Sequence, residues 1–147
     1  MCWIEVLKNV KYKVADKDIE VYKIVTRANK QSCVSIIKNF NYTANILYKI
    51  PTLECSETAR KYGTLRIEKA YHSYTGVQFI CDSAFHIVKG VYRCKRVILG
   101  NRRMFIPFKN DSYLATFIIP KDAVYTINSC GEIVSNQIIY TGKHLKL

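Results

Sequence analysis

Arg93, Lys95, Arg96, Arg102, Arg103 and Lys109, preceded by Lys89, occupy a stretch with no acidic residue between Asp82 and Asp111. A guanidinium presents a planar fork of donors that grips phosphate or carboxylate in pairs, so this run has the chemistry of an anion-binding surface. Tyr92, Phe105 and Phe108 are interleaved with the cations and offer rings on which a base could stack. The element that must hold them is a hairpin, because Gly100-Asn101 separates two apolar-rich runs, 91–99 and 102–108, and a two-residue glycine-containing connection favours a tight β-turn. The charge is then expected to project from the arms and tip of this ribbon. Strand alternation places Arg93 and Lys95 on one face and Arg96 on the other, and residues 97–99 are needed for packing, so only part of the ribbon can be exposed.

The composition bounds the rest. The chain has 147 residues, 49% hydrophobic and 12% aromatic, which predicts one compact domain over 1–147 with a true core. A formal charge of +12, from 23 Lys and Arg against 11 Asp and Glu, attracts nucleic acid, nucleotides, phosphorylated ligands or acidic protein surfaces. It disfavours self-association yet remains compatible with a homo-oligomer. Cys2, Cys33, Cys55, Cys81, Cys94 and Cys130 are widely spaced without a CxxC pair, the pattern of free thiols in a reducing cytoplasm. His72, His86 and His144 stand apart from those thiols, so no metal site is expected. No signal-like leader and no apolar run of about 18 residues is present, which predicts a protein outside the membrane.

Along the chain, residues 19–27 alternate as a strand, with Ile19, Val21, Lys23 and Val25 opposite in parity to Glu20, Tyr22, Ile24 and Thr26. Residues 64–74, 113–119, 124–127 and 133–140 also read as strands, separated by turn signals at 28–32, 110–111, 120–122 and 128–131. Residues 34–42 and 46–50 are ambiguous before Pro51. A short helix is predicted over 56–63, with Ser56 as N-cap and Gly63 at its end. A second is predicted over 79–88, where Phe79, Ala84, Phe85 and Val88 fall near one helical face. The expected fold is α+β and strand-dominated: an antiparallel meander with one or two short helices packed on one side.

Three segments can be read together as a chemical site: Val21-Tyr22-Lys23, then Tyr71-His72-Ser73-Tyr74-Thr75, then Ile119-Pro120-Lys121-Asp122-Ala123-Val124-Tyr125 followed by Glu132. In order and rough spacing they resemble the NAD site of ADP-ribosyltransferases. The resemblance implies that Ser73 with Thr75 positions the nicotinamide ribose, and that Glu132 stabilises the positive charge developing on it. Lys23 stands where that family has Arg or His, the middle element reads His-Ser-Tyr-Thr, and Glu132 follows a glycine in an apparent hairpin turn. Under this reading NAD is the cofactor; otherwise none is expected. A plain alternative makes His72-Ser73-Tyr74 an amphipathic strand and Glu132 an exposed turn carboxylate.

The phrases Lys13-Val14-Ala15 with Asp18-Ile19-Glu20-Val21-Tyr22-Lys23, Tyr71-His72-Ser73-Tyr74, and Ile119-Pro120-Lys121 through Gly131-Glu132-Ile133-Val134-Ser135-Asn136 resemble small uncharacterised proteins of phages and mobile elements of gut Bacteroidetes. That resemblance implies a phage accessory role in the host cytoplasm, either antagonism of host defence or a part in the virion or its assembly. Taken together, the expectation is a non-enzymatic binder of an anionic ligand, a nucleotide or nucleotide-derived signal ahead of a long nucleic acid. Its contacts are expected from Arg93, Arg96, Arg102, Arg103, His72, Tyr74 and Lys23.

Overall fold

The computed structural model describes residues 3–36, 39–55, 63–87, 90–107 and 112–146. Their strands are β1 (Trp3–Val6), β2 (Lys13–Val14), β3 (Ile19–Thr26), β4 (Ser32–Ser35), β5 (Asn41–Thr43), β6 (Leu47–Lys49), β7 (Glu54–Cys55), β8 (Thr64–Lys69), β9 (Tyr71–Tyr74), β10 (Val77–Ile87), β11 (Gly90–Leu99), β12 (Arg102–Pro107), β13 (Ser112–Ile119), β14 (Val124–Ile127), β15 (Glu132–Ser135) and β16 (Gln137–Lys146). They form one ten-stranded sheet and two three-stranded sheets, with every strand-to-strand ladder antiparallel.

The large sheet runs β2-β14-β15-β9-β3-β13-β16-β6, with β4 added to β3 and β5 to β4. It is not a meander, because β3 lies between β9 and β13, and β15 pairs back to β9. Partners distant in sequence win because burial rather than proximity selects them. β15 is buried at all four positions, and β13 buries Leu114 on one face and Ala115, Phe117 and Ile119 on the other. Val21, Val25, Cys33, Tyr42, Phe117, Ile133, Ile138 and Tyr140 form the main core on one face of this sheet, here called the inner face. Residues of β3, β4, β5, β13, β15 and β16 meet in that cluster, so the sheet must curl around it.

The opposite, outer face is covered at two places. Tyr74 and Leu114 pack with Leu99, at the root of the β10-β11-β12 sheet, together with Tyr22 and Ile24. Val134 packs with Ile67 of the β1-β8-β7 sheet, alongside Val10, Leu53 and Ala70. Glu5 of β1 adds a polar tie: its carboxylate accepts the N–H of Val6 at 2.7 Å and that of Ser129 at 2.6 Å. These two backbone donors hold the Glu5 carboxyl below its ordinary range, against the opposing effect of burial.

Two expectations need correction. Residues 79–88 were expected to be helical, but β10 runs through 79–87 in a ladder with β11 from Val77↔Leu99 to Ile87↔Gly90, and Val88 lies outside the described residues. A short apolar run fits either period, and here a long partner strand decides it. Among the described residues the helical content is one 3-10 turn, Leu7–Asn9, so the chain is mostly β and not α+β in the sense expected. The helix expected over 56–63 falls, apart from Gly63, outside the described residues. No helix among the described residues is long and apolar enough to cross a membrane.

Candidate functional site

The hairpin read from Gly100-Asn101 is present as β11 and β12, with Leu99 opposite Arg102. Gly100 has φ 58° and Asn101 is not in the left-handed region, the pattern of a two-residue turn with glycine at its first central position. Its tip does not project freely. Asn101 N–H donates to the Cys130 carbonyl at 2.9 Å, Asn101 Nδ2 to the Ser129 carbonyl at 3.3 Å, and Gly100 N–H to the Gly76 carbonyl at 2.8 Å. The turn is thus docked on the 128–131 hairpin loop, and the β10-β11-β12 sheet extends from that root. In register, Arg93 lies opposite Ala84, Arg96 opposite both Cys81 and Phe105, and Arg103 opposite Ile98. Arg93, Lys95, Arg96, Arg102 and Arg103 therefore belong to one continuous three-stranded sheet, and Lys89 lies outside the described residues. Lys109 and Phe108 lie outside the described residues.

Strand pairing divides the other candidates between two faces. Ser73 sits opposite Ile133, while Tyr74 sits opposite Glu132 and His72 opposite Val134. Directly paired residues share a face and neighbours along a strand do not. His72, Tyr74 and Glu132 therefore lie on the outer face, and Ser73 on the inner one. Tyr22 pairs with Tyr74, which sends Lys23 to the inner face as well. There its ammonium stands 5.3 Å from the Tyr42 ring centre and 5.8 Å from that of Phe117, an arrangement favoured by the ring quadrupoles. Lys23 also lies near Cys33, whose thiol burial pushes up to about 12 against the opposing pull of that charge. Ser73 and Glu132 thus do not converge on one pocket, and Lys23 joins neither His72 nor Tyr74. Thr75 donates through both N–H and Oγ1 to the Gly131 carbonyl, at 3.2 and 3.3 Å, as part of the turn region.

Ser73 is fully buried and its Oγ finds no hydrogen-bond partner. A buried hydroxyl left unsatisfied forfeits its hydration, so Ser73→Ala is expected to leave stability unchanged or raise it by up to about 1 kcal/mol. Urea unfolding checks this; a loss above that size would mean that the hydroxyl has a role its surroundings do not reveal.

Glu132 was read as a turn carboxylate, exposed in the plain alternative. It instead opens β15 and is buried, with 4% of its surface exposed. Asn128 builds the bend before it: Asn128 Oδ1 accepts the N–H groups of Cys130 and Glu132, each at 3.0 Å, and Asn128 N–H donates to the Glu132 carbonyl. The Glu132 Oε1 atom lies 3.3 Å from His72 Nδ1, across the β9–β15 ladder on the diagonal. His72 is the more open partner, with 25% of its side chain exposed against 5% for Glu132. A buried carboxylate behind a partly exposed imidazole is a pairing that sequence reading missed. The two residues are sixty positions apart, and neither a motif nor a spacing signals it.

Cys33 and Cys130 are free thiols, the first buried and the second exposed. Among the described residues, no three His, Cys, Asp or Glu side chains gather as a metal ion would require. Comparison with protein-family models, with curated proteins and with solved structures finds no match to this chain.

Proposed function

We propose that the protein binds single-stranded nucleic acid along the β10-β11-β12 sheet, in the setting of a phage or mobile-element accessory protein acting in the host cytoplasm. The observation that carries the reading is the register of the cation-bearing strands. From Arg93 to Leu99, the partner of Arg102, the chain advances six residues, about 20 Å at strand rise. Arginines spread over that length suit a chain of phosphates better than the compact phosphate group of one nucleotide, which is why the polymer now stands ahead of the nucleotide. Tyr92 and Phe105 lie on the same strands as the arginines, supplying the ring types that stack on unpaired bases. The phage-type phrases lend the setting, with antagonism of host defence as the accessory role they suggest.

Replacing Arg93, Arg96, Arg102 and Arg103 together with glutamine tests the assignment. Each lost phosphate contact removes about 0.7 from the slope of log affinity against log salt for a single strand. Register puts Arg93 and Arg102 on one face and Arg96 and Arg103 on the other, so a strand lying on either face loses two contacts and the slope is expected to flatten by about 1.4. Affinity for a single-stranded oligonucleotide should fall at least 100-fold at low salt. Titration by fluorescence anisotropy across a salt series, with mononucleotides as competitors, measures both. Unchanged affinity and slope in a folded variant would exclude this surface, and displacement by equimolar mononucleotide would return the small ligand to first place.

A further inference from the structure

The His72–Glu132 pair lies on the outer face between two packed clusters. Tyr74, opposite Glu132, packs with Leu99 at the root of the cationic sheet; Val134, two residues beyond Glu132, packs with Ile67 of the other small sheet. The pair is rigidly mounted. Both residues sit in the β9–β15 ladder, and Asn128 holds the backbone N–H of Glu132. It is also next to the proposed binding surface: Gly131 precedes Glu132, Gly100 is two residues before Arg102, and a Cβ on Gly131 would stand 2.9 Å from the Gly100 Cα.

A carboxylate that accepts the Nδ1–H of an imidazole fixes the ring's tautomer and orientation, leaving Nε2 as the proton acceptor. Here the carboxylate is the buried partner and the imidazole the partly exposed one, the order that a base facing substrate requires. A separation of 3.3 Å is within the range that such pairs show before substrate tightens them. The ring's hydrogen bond is to Glu132, so the pair supplies a base and an orienting group, and a hydroxyl brought by the substrate can serve as the attacking group. RNA carries that hydroxyl at every ribose, beside the phosphorus it can attack, whereas DNA does not.

We propose that His72 is the general base, and Glu132 its positioning residue, for cleavage of single-stranded RNA bound on the adjacent cationic sheet. His72 Nε2 takes the proton of a ribose 2′-hydroxyl as its oxygen forms a bond to the neighbouring phosphorus. The bond from phosphorus to the 5′ oxygen breaks, that oxygen takes a proton from water, and Nε2 returns its proton to solvent. The products are a 2′,3′-cyclic phosphate and a 5′-hydroxyl, with no net consumption of a co-reactant. This activity rests on the binding reading above.

The test uses the full chain with an end-labelled single-stranded oligoribonucleotide and the deoxy oligonucleotide of the same sequence, both in EDTA. The wild type is expected to bind both and cut only RNA, leaving cyclic phosphate ends. His72→Gln should slow single-turnover cleavage at saturating RNA at least 100-fold, the range of general-base catalysis. Glu132→Gln should slow it at least 10-fold, and both variants should keep the wild-type Kd for the deoxy strand within about twofold. The deoxy-strand Kd and a thermal melt show that each variant is folded, and either variant alone suffices if the other is not. Binding without cleavage of RNA would overturn the proposal and leave the binding reading standing. Cleavage that persists in a folded His72→Gln protein would overturn it too. Failure to bind either strand would remove the reading beneath it and this activity together.

Discussion

Gly100→Ala is expected to destabilise the protein by about 2–6 kcal/mol, and to loosen the cationic sheet at its root. Two effects add. Gly100 has φ 58°, a left-handed conformation in which an L side chain costs about 1–3 kcal/mol. An added Cβ would also stand 2.8 Å from the Cys130 carbonyl oxygen and 2.9 Å from that of Gly131. Those atoms are backbone of the opposing hairpin loop, so relief requires the two turns to separate, at a cost of a further 1–3 kcal/mol or so. The separation would weaken the bonds from Asn101 to Cys130 and Ser129. Gly76→Ala is the control, because a Cβ there meets nothing within 4 Å. Urea unfolding of the two variants checks the difference. If Gly100→Ala were no worse than Gly76→Ala, the docking of turn on turn would not be a determinant of stability.

Phe117→Ala should cost about 3–5 kcal/mol, the range for removing a buried aromatic ring whose cavity cannot close. Phe117 has no exposed surface and sits at the centre of an aromatic group, with the Tyr42 ring centre 5.1 Å away and that of Tyr140 5.2 Å away. Its neighbours are themselves fixed. The Tyr140 hydroxyl donates to the Asn29 carbonyl at 2.7 Å, and burial pushes its pKa up to about 12, while Tyr42 packs at once on Phe40, Tyr48 and Tyr71. The void would therefore persist. Lys23 would also lose one of the two rings beneath its ammonium. For a chain of this length the loss corresponds to a fall in Tm of roughly 10 °C. Calorimetry of the variant measures it; a fall under about 3 °C would mean that the core can collapse onto the gap.

The consequence for function is a separation of faces. On strands read one at a time, Lys23, His72, Ser73, Tyr74 and Glu132 could be gathered into one site. Pairing of Tyr22 with Tyr74 and of Tyr74 with Glu132 puts His72, Tyr74 and Glu132 on the outer face, and Lys23 and Ser73 against the inner core. A one-residue shift in either register would exchange those sets, so the combination belongs to the fold and not to the local sequence.

What the sequence determined by itself is local in its physics. Alternation of residues marked β3 closely, because one buried face imposes a period of two. Gly100-Asn101 marked its hairpin because few residues accept a positive φ in so short a turn. Charge marked the cationic run. Tertiary structure alone decided the remainder: that 79–87 is strand, since its apolar spacing also fits a helix and only the β11 ladder excludes it; that 64–74 breaks at Ala70 and 133–140 at Asn136; and that β15 pairs with β9 across sixty residues. These depend on which buried surfaces find one another once the chain collapses, a long-range choice that no short window of residues contains. The same choice sets Glu132 behind His72.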